Sequence, residues 1–139
     1  MGEAVVLGAA RTAIGDAYKG SLANTSIYDI GKASVTEALK RSGVPADDVD
    51  DLVLGEVLHG GGDIARYLAV EIGLPDDTPG AAVNRQCATG MTAVAMAAGS
   101  IVAGMDRVVI AGGTESMTQS PITYRKAAYA YGMPEQWLS

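Results

Sequence analysis

Apolar and polar positions alternate along the chain in two rhythms, one short and one helical. The run EAVVLGAAR (3–11) is apolar and ends in small residues, which predicts a buried strand. TAIGDAYKGSLANTS (12–26) is rich in Gly, Ser, Asn and Thr and predicts a loop. From there Ile27, Ile30, Ala33, Val35, Ala38 and Leu39 fall mostly on one helical face. Ser26 is placed to cap that helix, with Asp29 at the third position as in a capping box. Gly43 stops it ahead of Val44-Pro45. An acidic link, PADDVDD (45–51), enters a second strand, LVLGEVL (52–58). HGGGD (59–63) predicts a turn whose Asp63 caps a helix from Ile64 to Ile72, closed by Gly73. After the loop PDDTPG (75–80), AAVN (81–84) predicts a short third strand leading to Cys87.

The densest helical pattern follows that cysteine. Met91, Val94, Ala95, Ala98, Ile101 and Val102 lie at helical spacing, and the opposite face is also small or apolar. A helix without a polar face belongs inside a larger body. Gly104 ends it, and DRVVIAGG (106–113) predicts a fourth strand. Strands and helices that alternate in this way predict an α/β layered fold with a mostly parallel sheet. The last stretch, 114–139, changes character. Tyr124, Tyr129 and Tyr131 cluster with Trp137 there, beside Arg125 and Lys126, without a core period. It reads as the start of another layer.

Composition narrows the classes. The 139 residues make at most one ordinary domain, and 48% hydrophobic against 19% charged residues excludes a disordered chain. With 18 Gly and no Phe, the interior rests on Ala, Val, Ile, Leu and Met packed through small residues. A net charge of −6 argues against a general nucleic-acid partner. One cysteine makes no internal disulfide and fits a reducing compartment. No signal-peptide pattern opens the chain, and Gly and charges break every candidate bilayer span, so the expectation is a cytoplasmic protein with no membrane partner. One Cys and one His give no zinc spacing, and the glycines at 60–62 lack the Lys-Ser/Thr ending of a phosphate loop.

Cys87 carries the chemical question. Free cysteine is often a small buried hydrophobe, and one without a placed histidine is weak evidence of catalysis. Its position argues the other way. Where a strand gives way to a helix, unpaired backbone N–H groups and the helix dipole favour the thiolate, and a backbone N–H can face an oxyanion. Thr89 and Gly90 are small enough to leave room for a carbonyl. Elsewhere, Glu115 follows a strand end and reads as a structural carboxylate bonded to the Cys87 turn or to the loop that follows it, with a supporting role behind the site as the other reading. Arg66 and Arg85 read as partners for carboxylates at an interface, and Arg125 and Lys126 as a solvated basic spot.

Four linked motifs add a resemblance. NRQCATG with its Ala/Met-rich helix, VVIAGGTESM, the opening AARTAIGDAYKGSL and the middle VDDLVLGEVLHGGGDIARYLAVEIGLP resemble the N-terminal portion of the thiolases. The likeness runs over most of residues 4–126, in the family's order. It implies the N-terminal part of the thiolase-type layered α/β fold, incomplete here, with residues 1–117 in the N-terminal domain and 118–139 starting the loop domain. It also implies acyl exchange between acyl-CoA and 3-ketoacyl-CoA through a cysteine acyl-enzyme, Cys87 being the nucleophile. Coenzyme A thioesters are then the substrates and no metal or redox cofactor is needed. The implied partners are acyl-CoA, CoA and a homo-oligomer, at least a dimer joined along AAVN, or a chain carrying the C-terminal half.

The departures are specific. Ala13 stands where the family commonly has Pro, Thr89 where Ser is common, His59 where Gln is frequent, and Asp63-Ile64 replace a Gln-Asn-type pair. His59 is the sole histidine, but the family's activating histidine lies in the C-terminal half, as does its second cysteine, so His59 reads as a turn histidine. Two alternatives stand beside the complete enzyme. One is an inactive fragment or a subunit that needs a partner chain. The other is a ketoacyl-synthase-type condensing enzyme, against which RTAIG and GGTESM speak.

Overall fold

A computed structural model describes residues 2–59 and 62–136. Helix α1 spans Ile27–Ser42, strand β1 Asp51–Gly55, helix α2 Ile64–Glu71, strand β2 Ala81–Val83, helix α3 Thr89–Ala103 and strand β3 Val109–Gly113. The predicted caps operate. Ser26 accepts from the Asp29 N–H, Asp63 from the N–H groups of Ala65 and Arg66, and Gly43 closes α1 at φ 71°, a left-handed conformation that glycine adopts without steric cost.

The sheet is parallel, in the order β2-β1-β3, with Val53 opposite both Ala81 and Ala111. The crossover through α2 leads from β1 to one edge, and that through α3 leads back across β1 to the other. Right-handed crossovers running in opposite directions place their helices on opposite faces. Leu52 and Leu54 accordingly face a core shared with Ile27, Val35, Ile64 and Leu68 of α1 and α2. Thr89, Thr92, Ala93 and Ala97 form the buried side of α3, which packs on β1 and β3. The result is three layers with the sheet in the middle.

Three sequence expectations are corrected. The segment 3–11 is not a strand: Val5, Val6 and Leu7 are exposed and no ladder pairs them among the described residues. The segment lies across the end of α1, where Arg41 donates to the Ala9 carbonyl at 3.1 Å. A hollow of about 140 Å³ separates Ala10–Thr12 from β3, so the segment stands off the sheet edge instead of joining it. The second strand stops at Gly55, three residues short of Leu58, because Glu56 begins a turn. Third, Gln86–Ala103 is long and apolar enough, by length and composition alone, to cross a membrane, contrary to the reading that every such run is broken. The outer side of α3 is left uncovered by these residues, in keeping with a helix that belongs inside a larger body: Met91, Val94, Met96 and Val102 are all exposed.

Beyond β3 the described residues form only a short antiparallel pair, Tyr124–Arg125 (β4) with Glu135–Gln136 (β5). Tyr124, Tyr129 and Tyr131 are exposed, in keeping with a segment that has no core period. Trp137, which clusters with them in the sequence, lies outside the described residues.

Candidate active site

Parallel strands deliver their carboxyl ends to one edge of the sheet, and the three loops that leave β1, β2 and β3 gather there. Cys87 sits in the loop after β2, one residue before the N-cap of α3, and is exposed. The turn that carries it is tightly specified. Ala88 N–H donates to the Arg85 carbonyl at 3.1 Å, and Thr89 N–H to the Gln86 carbonyl at 3.0 Å. The Thr89 hydroxyl accepts from Arg85 N–H at 2.7 Å and donates to the Gln86 carbonyl at 2.5 Å. Gln86 itself stands at φ 50°, a conformation that residues with a Cβ rarely adopt.

Thr89 therefore does more than leave space. It is buried and staples the turn from both sides, and its methyl packs onto β1 at Gly55, where a Cβ would collide with it. Gly90 does leave space: a Cβ there would meet nothing within 4 Å. The N-cap of α3 is Ala88, whose side chain accepts no hydrogen bond, whereas α1 and α2 are both capped by an oxygen. The first-turn donors of α3 are thus left without a side-chain acceptor beside the cysteine.

The other loops brace this one. Asn84 donates to the Val57 carbonyl at 3.4 Å and accepts from the Gln86 N–H at 3.0 Å. Glu115, just after β3, accepts from the N–H groups of Val57 at 2.7 Å and Leu58 at 3.2 Å. His59 lies 3.2 Å from the same carboxylate and sits in the turn after β1, as expected. Among the described residues Arg66 pairs with no carboxylate: its guanidinium donates to the carbonyls of Thr78 and Asp76, at 2.5 and 2.9 Å, and ties down the loop before β2. No group of His, Cys, Asp and Glu among the described residues is arranged to hold a metal. The turn glycines at 60 and 61 lie outside the described residues.

Residues 4–137 match the family model for the N-terminal domain of thiolase. The chain belongs to the thiolase family. It is 40% identical over 146 residues to a 3-ketoacyl-CoA thiolase of Bacillus subtilis, covering all of this chain and 37% of that protein. It is 37% identical over 134 residues to a mitochondrial acetyl-CoA acetyltransferase of Mus musculus, covering 95% of this chain and 31% of that one. Among solved structures, it resembles the Acat5 thiolase of Ascaris suum in complex with coenzyme A, with a TM-score of 0.83 and 30% identity over 94% of this chain and 35% of that one. It therefore spans about a third of the length of the curated relatives it matches. NRQCATG, one of the four motifs that carry the resemblance, coincides with the braced turn.

Proposed function

We propose that this chain supplies the acyl-accepting cysteine of a thiolase acting on coenzyme A thioesters. The observation that carries the reading is an exposed Cys87 in a turn fixed from both sides, beside a helix terminus that no side chain caps. In the cleavage direction the Cys87 thiolate attacks the keto carbon of a 3-ketoacyl-CoA, and the S–C bond forms as the carbonyl becomes an oxyanion. Collapse breaks the bond between C2 and C3, leaving an acyl group on Cys87 and an enolate that takes up a proton to become acetyl-CoA. The thiolate of a second CoA then attacks the acyl-cysteine, releasing acyl-CoA and the free cysteine. Run backwards, the sequence is a Claisen condensation. The Cys87 backbone N–H is assigned to stabilise the oxyanion, the N–H groups of Ala88 and Thr89 being already given to carbonyls of the turn.

The base and the proton donor for the enolate step are assigned to a C-terminal half, in the same protein or on a partner chain. The loop domain is assigned to start at residue 118. The open outer side of α3 supports a covering layer, and the free outer edge of β2 suits pairing with a second copy across a twofold axis. No metal or redox group has a step in this scheme, and the single cysteine suits a reducing cytoplasm.

The test is native mass spectrometry of the protein after exposure to acetyl-CoA, with peptide mapping. An acetyl adduct on Cys87, lost in Cys87→Ser together with acyl transfer, supports the reading. Turnover retained by Cys87→Ser, with the fold intact, would refute the assignment. A bare chain that takes no adduct until a second chain is added identifies a subunit that needs a partner.

A further inference from the structure

We propose that Glu115 is a positioning residue for Cys87, acting at a distance through Val57 and Asn84. This rests on the reading of Cys87 as the acyl-accepting nucleophile. The Glu115 carboxylate is occupied on both oxygens. Oε2 accepts from the N–H groups of Val57 and Leu58, at 2.7 and 3.2 Å, while Oε1 accepts from Ser116 N–H and faces His59 Nδ1, each at 3.2 Å. A carboxylate held by so many donors fixes those donors in return. The loop after β1 is held from its other end as well, by Glu56 N–H donating to the Val83 carbonyl at 3.2 Å.

The Val57 peptide, clamped at its N–H by Glu115, presents its carbonyl to Asn84 Nδ2 at 3.4 Å. A side-chain amide has a donor end and an acceptor end in fixed relation. With its donor end on Val57, Asn84 directs Oδ1 at the Gln86 N–H, 3.0 Å away. That bond helps keep Gln86 at φ 50°, the residue immediately before the nucleophile. Without it, Gln86 has an incentive to return to the ordinary negative-φ region, which turns the chain at Cys87 and carries the sulfur away from the helix terminus. Carboxylate, peptide, amide and strained residue thus form one path across three loops that are adjacent only in the folded chain. Thr89 holds the turn independently, so loss of the path weakens the positioning without abolishing it.

The experiment is the second-order rate of Cys87 alkylation by iodoacetamide in the intact protein as its own cells produce it, read by peptide mass. All variants are measured well below their melting temperatures, and the urea-unfolded chain sets the rate of an unassisted thiol. Glu115→Ala and Asn84→Ala should each slow alkylation by about three- to tenfold, towards the unfolded-chain rate. The double variant should be no slower than either single one, because both cut the same path. Glu115→Gln, which keeps one acceptor oxygen, should fall between wild type and Glu115→Ala, and it carries the test if the alanine variant does not fold. Single-variant rates equal to wild type, or losses that multiply in the double variant, overturn the proposal. Alkylation needs no acyl transfer. A coupled loss of alkylation in a protein that never acylates Cys87 therefore removes the thiolase reading alone, whereas acylation with uncoupled alkylation removes only the role of Glu115.

Discussion

At the scale of single residues, the site depends on one contact between the sheet and the cysteine turn. A Cβ on Gly55 would strike the Thr89 methyl and come within 3.1 Å of the Thr89 carbonyl carbon and 3.2 Å of Gly90 N. Gly55→Ala should therefore cost about 1–3 kcal/mol in urea unfolding, the usual range for overpacking a closed site. Thr89→Ser removes the offending methyl but keeps the hydroxyl that binds Arg85 and Gln86. Adding it to Gly55→Ala should recover part of that loss, while Thr89→Val, which deletes the hydroxyl, should recover none. If the double variant Gly55→Ala/Thr89→Ser is no more stable than Gly55→Ala, the methyl is not the obstacle. The place of Cys87 between a strand and a helix was legible in the sequence, while the role proposed for it came from the resemblance of NRQCATG, since a lone cysteine is weak evidence. Asn84 and Gln86 were not legible, since their roles depend on a positive φ and on a bond to Val57, 27 residues away. Glu115 was legible as a strand-end carboxylate, although the loop it would hold was not.

At the scale of elements, local chemistry is more readable than pairing. The caps of α1 and α2 follow from Ser26, Gly43 and Asp63, each acting on its own neighbours. The segment 3–11 has the composition of a strand, but a ladder needs a partner at 4.7–4.9 Å, and β3 stands across a hollow from it. The entry to β1 shows a finer effect. Asp50 accepts from Val108 and Arg107 N–H, at 2.9 and 2.7 Å, and these bonds hold its carboxyl below the usual range. Burial pushes the adjacent Asp51 carboxyl up, against the lowering effect of the Leu52 N–H, with Asp106 and Asp63 adding repulsion. The signs are opposite. Asp50 contributes stability above the unfolded carboxylate pKa of about 4, lost as pH falls through its lower folded value. Asp51 costs stability above its raised folded pKa, and that cost fades as pH falls towards the unfolded value. At pH 7, Asp50→Asn should therefore destabilise and Asp51→Asn stabilise, with both differences shrinking on acidification. Urea unfolding at several pH values checks this, and parallel curves for the two variants would contradict it.

At the scale of the whole molecule, the distribution of apolar surface separates what this chain buries from what it leaves exposed. The core between the sheet and α1/α2 is closed, with Leu52 and Leu68 fully buried. On the other face only the inner side of α3 is covered, and Met91 and Met96 remain 74% and 47% exposed. A soluble surface rarely concentrates large apolar side chains along one helix unless something covers them. Lysine substitution distinguishes the two states. In the isolated 139-residue chain, Met91→Lys and Met96→Lys should each change unfolding stability by less than about 0.5 kcal/mol, as is usual for exposed positions, and reduce binding of an apolar dye. In an assembly where another layer lies on α3, the same lysines would be buried without a partner charge. Each should then cost several kcal/mol, or about that much in association free energy, and prevent assembly. The measurements are urea unfolding of the isolated chain and sedimentation of the assembled protein, with and without each lysine. A large loss in the isolated chain would mean that a second copy already covers α3. No loss in either setting would mean that this face stays open to solvent.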